Sequence, residues 1–279
     1  MSATTRPLAV PDPLDDFTPR VVDIDGLART VHVAGTGPAV IVMPEMPGIS
    51  PHVARFARWV RDAGFTAWMP SLFGRDGDVP DVEEAVAIFR RACIAAEFRA
   101  LADGRPRPIA TWLRGLARLA HAECGGPGVG AVGMCFTGNF ALSMLLEPAV
   151  LAPVLCQPSL PLDDPAAIDS PPDELAAVRR RLERDDLTVR GVRFAGDRFC
   201  TAQRFAGYAA ALGDRFEARV LPDAAANMRE LPPFFEHVVQ GPHSVVTVHL
   251  VDAAGQPTRA ARDEILAFLG LRLLSAQAG

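Results

Sequence analysis

Residues 129–142, Val-Gly-Ala-Val-Gly-Met-Cys-Phe-Thr-Gly-Asn-Phe-Ala-Leu, constrain this chain more than any other stretch. An apolar strand runs through Gly133-Met134-Cys135-Phe136-Thr137-Gly138 into an apolar helix. That order is a nucleophile elbow, with Cys135 where a serine often stands. The turn is too tight for large side chains two residues either side of the nucleophile, which accounts for Gly133 and leaves Thr137 just small enough. The thiol then stands at a helix N-terminus. There the dipole and free N–H groups favour a thiolate and can hold a developing oxyanion. A lone cysteine more often packs a core, but the strand–Gly-x-Cys–helix context favours chemistry. Gly128-x-Gly130-x-x-Gly133 also matches a dinucleotide fingerprint. That fingerprint has to follow a strand and open a helix; here it follows a helix and its own residues are the strand. No cofactor is expected.

The rest of the pattern supplies a sheet for this elbow. Residues 1–18, rich in Pro and Asp, read as a loosely held arm, and residues 19–279 as one domain. Val21–Val33 reads as a hairpin about Asp25-Gly26. Further strands are expected at Ala39–Met43, Phe65–Met69, Val129–Val132, Ala152–Cys156, Val192–Ala195 and Phe216–Leu221. Helices are expected at Val53–Ala63, Asp81–Leu101, Thr111–His121 and Phe136–Leu146, then from Ser170, and finally over Arg259–Leu274. Ser170 with Asp173 resembles a capping box, and the run Arg179-Arg180-Arg181 reads as a solvated face. Strands alternating with helices in this way imply an α/β fold: a mostly parallel central sheet with helices on both faces.

Composition narrows the function. Across 279 residues, 28 basic side chains face 33 acidic ones, so nothing favours nucleic acid as a partner. Every basic residue is arginine, which excludes a lysine Schiff base and a P-loop lysine. Five widely spaced cysteines, with no C-x-x-C, fit free thiols in a reducing cytoplasm and argue against zinc. No apolar leader or membrane-length stretch stands in the sequence. The expectation is a cytoplasmic monomer or small homo-oligomer that acts on a small molecule, away from membranes.

A cysteine nucleophile in such a sheet needs an acid and then a histidine later in the chain. Asp197 follows the strand Val192–Ala195; Asp214 and Asp223 are weaker candidates. His243 follows the last strand and precedes the C-terminal helix. His32, His52 and His121 come too early, while His237 and His249 flank His243 and order alone does not exclude them. Glu45 lies just past the C-terminal end of Ala39–Met43, the edge where open sheets gather their sites. The N–H groups of Met46 and Phe136 are placed to form an oxyanion hole.

Taken together, Val42-Met-Pro-Glu45-Met-Pro-Gly48, Pro51-His52, Gly133-Met-Cys135-Phe-Thr-Gly138, Gly196-Asp197 and His243-Ser244 resemble the dienelactone hydrolase family, from about Val21 to Leu274. The resemblance implies an α/β-hydrolase fold with Cys135 as nucleophile, His243 as base and Asp197 as orienting acid. It also implies that Glu45 partners the resting thiol, and that small esters or lactones are cleaved through a thioester. The family has glycine two residues after the nucleophile, where this chain has Thr137. Four residues after its histidine it has an arginine that grips a substrate carboxylate, where this chain has Thr247. Arg90, Arg91, Arg99 and Arg204 are the candidates to replace that grip. The alternatives are an acyl transferase, or a non-enzymatic ligand-binding or thiol redox-sensing module on the same fold.

Overall fold

The computed structural model describes residues 6–95, 98 and 107–274. Eight strands form one sheet: β1 (Thr18–Ile24), β2 (Leu27–Gly35), β3 (Ala39–Met43), β4 (Thr66–Pro70), β5 (Val129–Met134), β6 (Val150–Cys156), β7 (Val189–Phe194) and β8 (Phe216–Leu221). Their order is β1-β2-β4-β3-β5-β6-β7-β8. β1, β2 and β4 pair antiparallel, and every later pairing is parallel. The hairpin turns at Asp25 and Gly26, both at positive φ (54° and 81°), the backbone an I′ turn demands. β3, β4 and β5 are buried at every residue, as expected of strands covered on both faces.

Helices α1 (Pro51–Asp62) and α7 (Pro257–Leu273) cover one face. On the other face lie α3 (Pro108–Cys124), α4 (Gly138–Ser143), α5 (Pro172–Arg184) and α6 (Ala202–Leu212). Two apolar clusters result, one on each side of the sheet. α2 (Val82–Ile94) starts on an Asp81 cap, whose side chain accepts from Glu84 N at 2.9 Å. It stops where Ala95 turns extended, seven residues short of the expected end at Leu101. Leu101 and Arg99 lie outside the described residues.

Four expectations need correction. α6 has no counterpart in the sequence reading, although Thr201 caps it and Gly213 ends it at φ 64°. α5 begins at Pro172 after Pro171 and uses no side-chain cap, so Ser170 forms no capping box. Arg181 does not belong to a solvated face: it is buried and donates to the carbonyls of Leu145, Glu147, Pro148 and Val150. These carbonyls end α4 and lead into β6, and the guanidinium supplies the donors they would otherwise lack. Nor is the arm loose from Asp12 onward. Arg58 of α1 binds Asp12 at 2.6 and 2.9 Å and Asp16 at 2.7 and 2.9 Å, with Leu14 and Phe17 buried alongside.

Candidate active site

The elbow sits where β5 meets α4, in the middle of the sheet. Cys135 has φ 53°, a left-handed backbone that costs a non-glycine residue energy and persists only where its surroundings impose it. A Cβ at Gly133 would lie 2.3 Å from the Thr137 carbonyl oxygen, and one at Gly138 would lie 2.6 Å from Pro158 Cα. Only glycine fits at either position. Thr137 closes the turn: its hydroxyl accepts from Met134 N at 2.9 Å and lies within hydrogen-bonding distance of the Met43 and Met134 carbonyls. The hydroxyl therefore points into the turn and leaves the pocket unchanged. Gly130 and Gly133 lie within β5, paired to β3 and β6, so the glycine fingerprint is strand rather than phosphate loop.

Around the half-buried thiol the structure gathers the later residues. Asp197 stands just past β7. Its Oδ1 accepts from Phe199 N and Cys200 N at 2.9 and 3.0 Å, and its Oδ2 lies 2.7 Å from His243 Nδ1. The other ring nitrogen, Nε2, is buried without a hydrogen-bond partner. Burial opposes charge on His243, but Asp197 and Cys135 together outweigh it and hold the imidazole well above its ordinary value. A cavity of about 80 Å³ opens over the pair, lined by Met46, Phe89, Ser159, Leu162, Phe199, Phe234, Val238 and Val239 besides Cys135 and His243. Met46 N has no acceptor among the described residues, and Phe136 N sits in a first helical turn, where donors go unpaired.

The other histidines fall away for physical reasons. His237 is exposed, and His32 pairs with Asp76 at 2.8 Å. His121 Nε2 lies 3.1 Å from the Gly126 carbonyl, at the far end of α3 from the elbow. His249 is buried and kept neutral, its pKa lowered to about 3 by burial and by the charge on His243. Its Nδ1 accepts from the backbone N–H groups of His243 and Ser244, so it braces the loop that carries His243. Of the weaker acids, Asp223 accepts from Gly196 N at 2.8 Å and holds the loop beside Asp197.

Glu45 is not the thiol's partner. It is buried, and its oxygens accept from Ser244 Oγ and Thr247 Oγ1 at 2.5 Å each, with Gln157 Nε2 at 3.5 Å. Burial raises its pKa despite those bonds and the charge on His243. The hydroxyl beside Cys135 Sγ, at 3.4 Å, is that of Ser159, a residue the sequence reading passed over. Of the candidate arginines, Arg90, Arg91 and Arg204 do not line the cavity. Arg90 and Arg91 are exposed on α2, and Arg99 lies outside the described residues. Arg204 is fully buried, with its donors committed to backbone carbonyls. Phe234, Val238 and Val239 come from a π-helical stretch, Phe235–Val239, and the residue before it. No local signal marked it.

His52 supplies a pH prediction. Burial, and then the nearby Arg55, lower its pKa to about 3. As pH falls from about 6.5 the unfolded chain takes up a proton that the folded chain refuses, so stability is lost, by about 1.4 kcal/mol per pH unit, until pH about 3. His52→Gln, which cannot titrate, is expected to flatten the acid-side fall by that slope. Urea midpoints measured from neutral pH downward check it; parallel curves for the two proteins would refute it.

A strand–turn–helix elbow bearing a cysteine, on a mostly parallel sheet with an acid and a histidine converging from later loops, has the architecture of an α/β-hydrolase. Residues 24–171 match the sequence profile of the dienelactone hydrolase family, and the chain belongs to that family. Similar solved structures include one designated m3DLH (TM-score 0.58, 17% identity, covering 90% of this chain and 98% of that one). A dienelactone hydrolase candidate from Klebsiella pneumoniae subsp. pneumoniae has TM-score 0.58 and 18% identity, over 90% and 98% of the two chains. A dienelactone hydrolase-like promiscuous phosphotriesterase from metagenomic libraries has TM-score 0.53 and 19% identity, over 92% and 99%. At these identities the likeness is one of fold. No curated protein matches the sequence significantly. By family, then, this chain is a hydrolase. All five cysteines are free, and no helix among the described residues is long and apolar enough to cross a membrane.

Proposed function

We propose that the chain hydrolyses small, uncharged esters or lactones, with Cys135 as nucleophile, His243 as base and Asp197 as orienting acid. The observation that carries this reading is one arrangement. A strained cysteine forms the floor of an apolar cavity, and a buried imidazole, held by a carboxylate at 2.7 Å, borders the same cavity.

His243 Nε2 takes the thiol proton, and the resulting thiolate sulfur attacks the carbonyl carbon. The carbonyl oxygen gains the negative charge and rests against the N–H groups of Met46 and Phe136. The intermediate collapses, the C–O bond breaks, and His243 returns its proton to the departing alkoxide. Water, deprotonated by His243, then attacks the thioester, and the sulfur leaves and recovers the proton. Asp197 holds the ring in the orientation that aims Nε2 at the sulfur.

The cavity lining sets the substrate class. Among the described residues no Asp, Glu or Arg lines it, and the position of the family's carboxylate-gripping arginine is occupied by Thr247, which is bonded to Glu45. Burying an unpaired carboxylate there is costly. A 4-nitrophenyl ester of a short neutral acid is therefore expected to have kcat/KM at least roughly tenfold above the matching ester with a carboxylate on the acyl end. Steady-state rates on the two substrates test this. No release of nitrophenol from either ester would overturn the hydrolase reading, and equal rates would overturn the substrate class.

A further inference from the structure

β6 ends at Cys156, and Gln157, at φ 36°, turns the chain back beneath the elbow. Two residues on, Ser159 meets Cys135 at two points. Its backbone N–H donates to the Cys135 carbonyl at 3.0 Å, and its hydroxyl lies 3.4 Å from Sγ. Ser159 is buried, and no other acceptor for its hydroxyl occurs among the described residues. The backbone on both sides is fixed, because Arg204 donates to the carbonyls of Pro158 and Pro161 at 3.0 and 2.6 Å. The hydroxyl is thus aimed at the sulfur by the frame of its loop.

Few other groups can influence that sulfur. From its own loop comes His243, with Asp197 behind it. From the loop after β7 comes Cys200, whose thiol burial keeps uncharged. From the loop after β3 comes Glu45, engaged with Ser244 and Thr247. Among these described groups His243 is the strong donor available to the sulfur, the Cys200 S–H being a weak one. A thiolate has several lone pairs, and a second, well-aimed donor stabilises it as charge-assisted hydrogen bonds do.

We infer that Ser159 is a further catalytic residue: its hydroxyl donates to the Cys135 sulfur and holds the thiolate opposite the protonated His243. The inference rests on Cys135 being the nucleophile. It gives the thiol a partner from the β6 loop in place of Glu45.

The test is alkylation of the full-length protein by iodoacetamide across the pH range, followed on the Cys135 peptide by mass spectrometry. The thiolate sulfur forms a bond to carbon as the carbon–iodine bond breaks and iodide departs, so the rate reports the thiolate population without any ester. Ser159→Ala is expected to move the rise of the profile toward alkali. The rate at about pH 6 should fall roughly tenfold while the alkaline plateau stays within about twofold. Ser159→Thr keeps a hydroxyl and should follow the wild type. A Ser159→Ala profile lying on the wild-type curve would overturn the inference. So would a Ser159→Thr profile displaced roughly tenfold at about pH 6. Should the alanine variant fail to fold, Ser159→Cys, which keeps the size but offers only a weak donor, takes its place and is expected to be displaced in the same direction. Rapid alkylation of wild-type Cys135 near neutrality with no ester turnover would overturn the hydrolase reading and the catalytic role of Ser159 with it, while a displaced Ser159→Ala profile would still show that the Ser159 hydroxyl donates to the sulfur.

Discussion

Cys135→Ala is expected to lower kcat/KM on a short-chain aryl ester by roughly a thousandfold or more, with most of the loss in kcat. Cys135 is one of ten described residues lining the cavity, so KM should move little. Removing the sulfur deletes the acyl-enzyme route altogether. The same loss is expected of His243→Ala, and the double variant should be hardly worse than either single one, because groups acting as a unit are not additive. Steady-state kinetics on the four proteins, with circular dichroism to show that each is folded, check this. If Cys135→Ala turns over as fast as wild type, the proposed mechanism is wrong, whatever the fold.

The second large effect concerns stability. Arg204 is fully buried and uses all five guanidinium N–H groups: Nε to the Ala167 carbonyl, Nη1 to those of Pro158 and Phe199, and Nη2 to those of Pro161 and Asp164. It ties the loop bearing Ser159 and Leu162 to the loop bearing Asp197 and Phe199. Arg204→Met fills similar space with no donor and strands five carbonyls. A cost of about 3–5 kcal/mol is expected, and a thermal midpoint lower by on the order of 10 °C. Arg204→Lys should recover only part, since an ammonium offers three donors from a single point. Because both loops border the cavity, the surviving folded fraction should also lose activity. A thermal midpoint within a degree or so of wild type for Arg204→Met would refute this account.

The two cases differ in what the residues themselves disclose. The elbow was readable because strand, turn and helix are contiguous, and Gly133 is dictated by the clearance to the Thr137 carbonyl four residues on, whereas Gly138 answers to Pro158 in the loop after β6. Asp197 and His243 were found by their order after β7 and β8, which the sheet topology converts into proximity. Arg204 was read only as a possible carboxylate grip, and Arg181 was read as surface because it sits in a run of three. Neither sequence neighbourhood shows the carbonyls these side chains satisfy. α6 carries the usual signs, a threonine cap, a terminal glycine and a short apolar stripe at Phe205, Tyr208 and Leu212, and is the one described helix of this face that the sequence reading omits. The arm from Asp12 onward looked loose because the arginine that anchors it is Arg58, on α1.

The amino-acid order by itself determined the α/β sheet, the position of the bent cysteine and the acid and histidine that follow it. These depend on local backbone sterics and on the succession of strands. Which group touches the sulfur, where Glu45 sends its two oxygens, and whether any arginine enters the cavity were decided by tertiary structure alone. Glu45 meets Ser244 and Thr247 across 199 and 202 residues, and Ser159 reaches Cys135 from the next strand's loop. Such contacts arise from how loops of different strands pack at one edge of the sheet. In a dry interior each buried polar atom must find a partner there, however far away in the chain that partner lies.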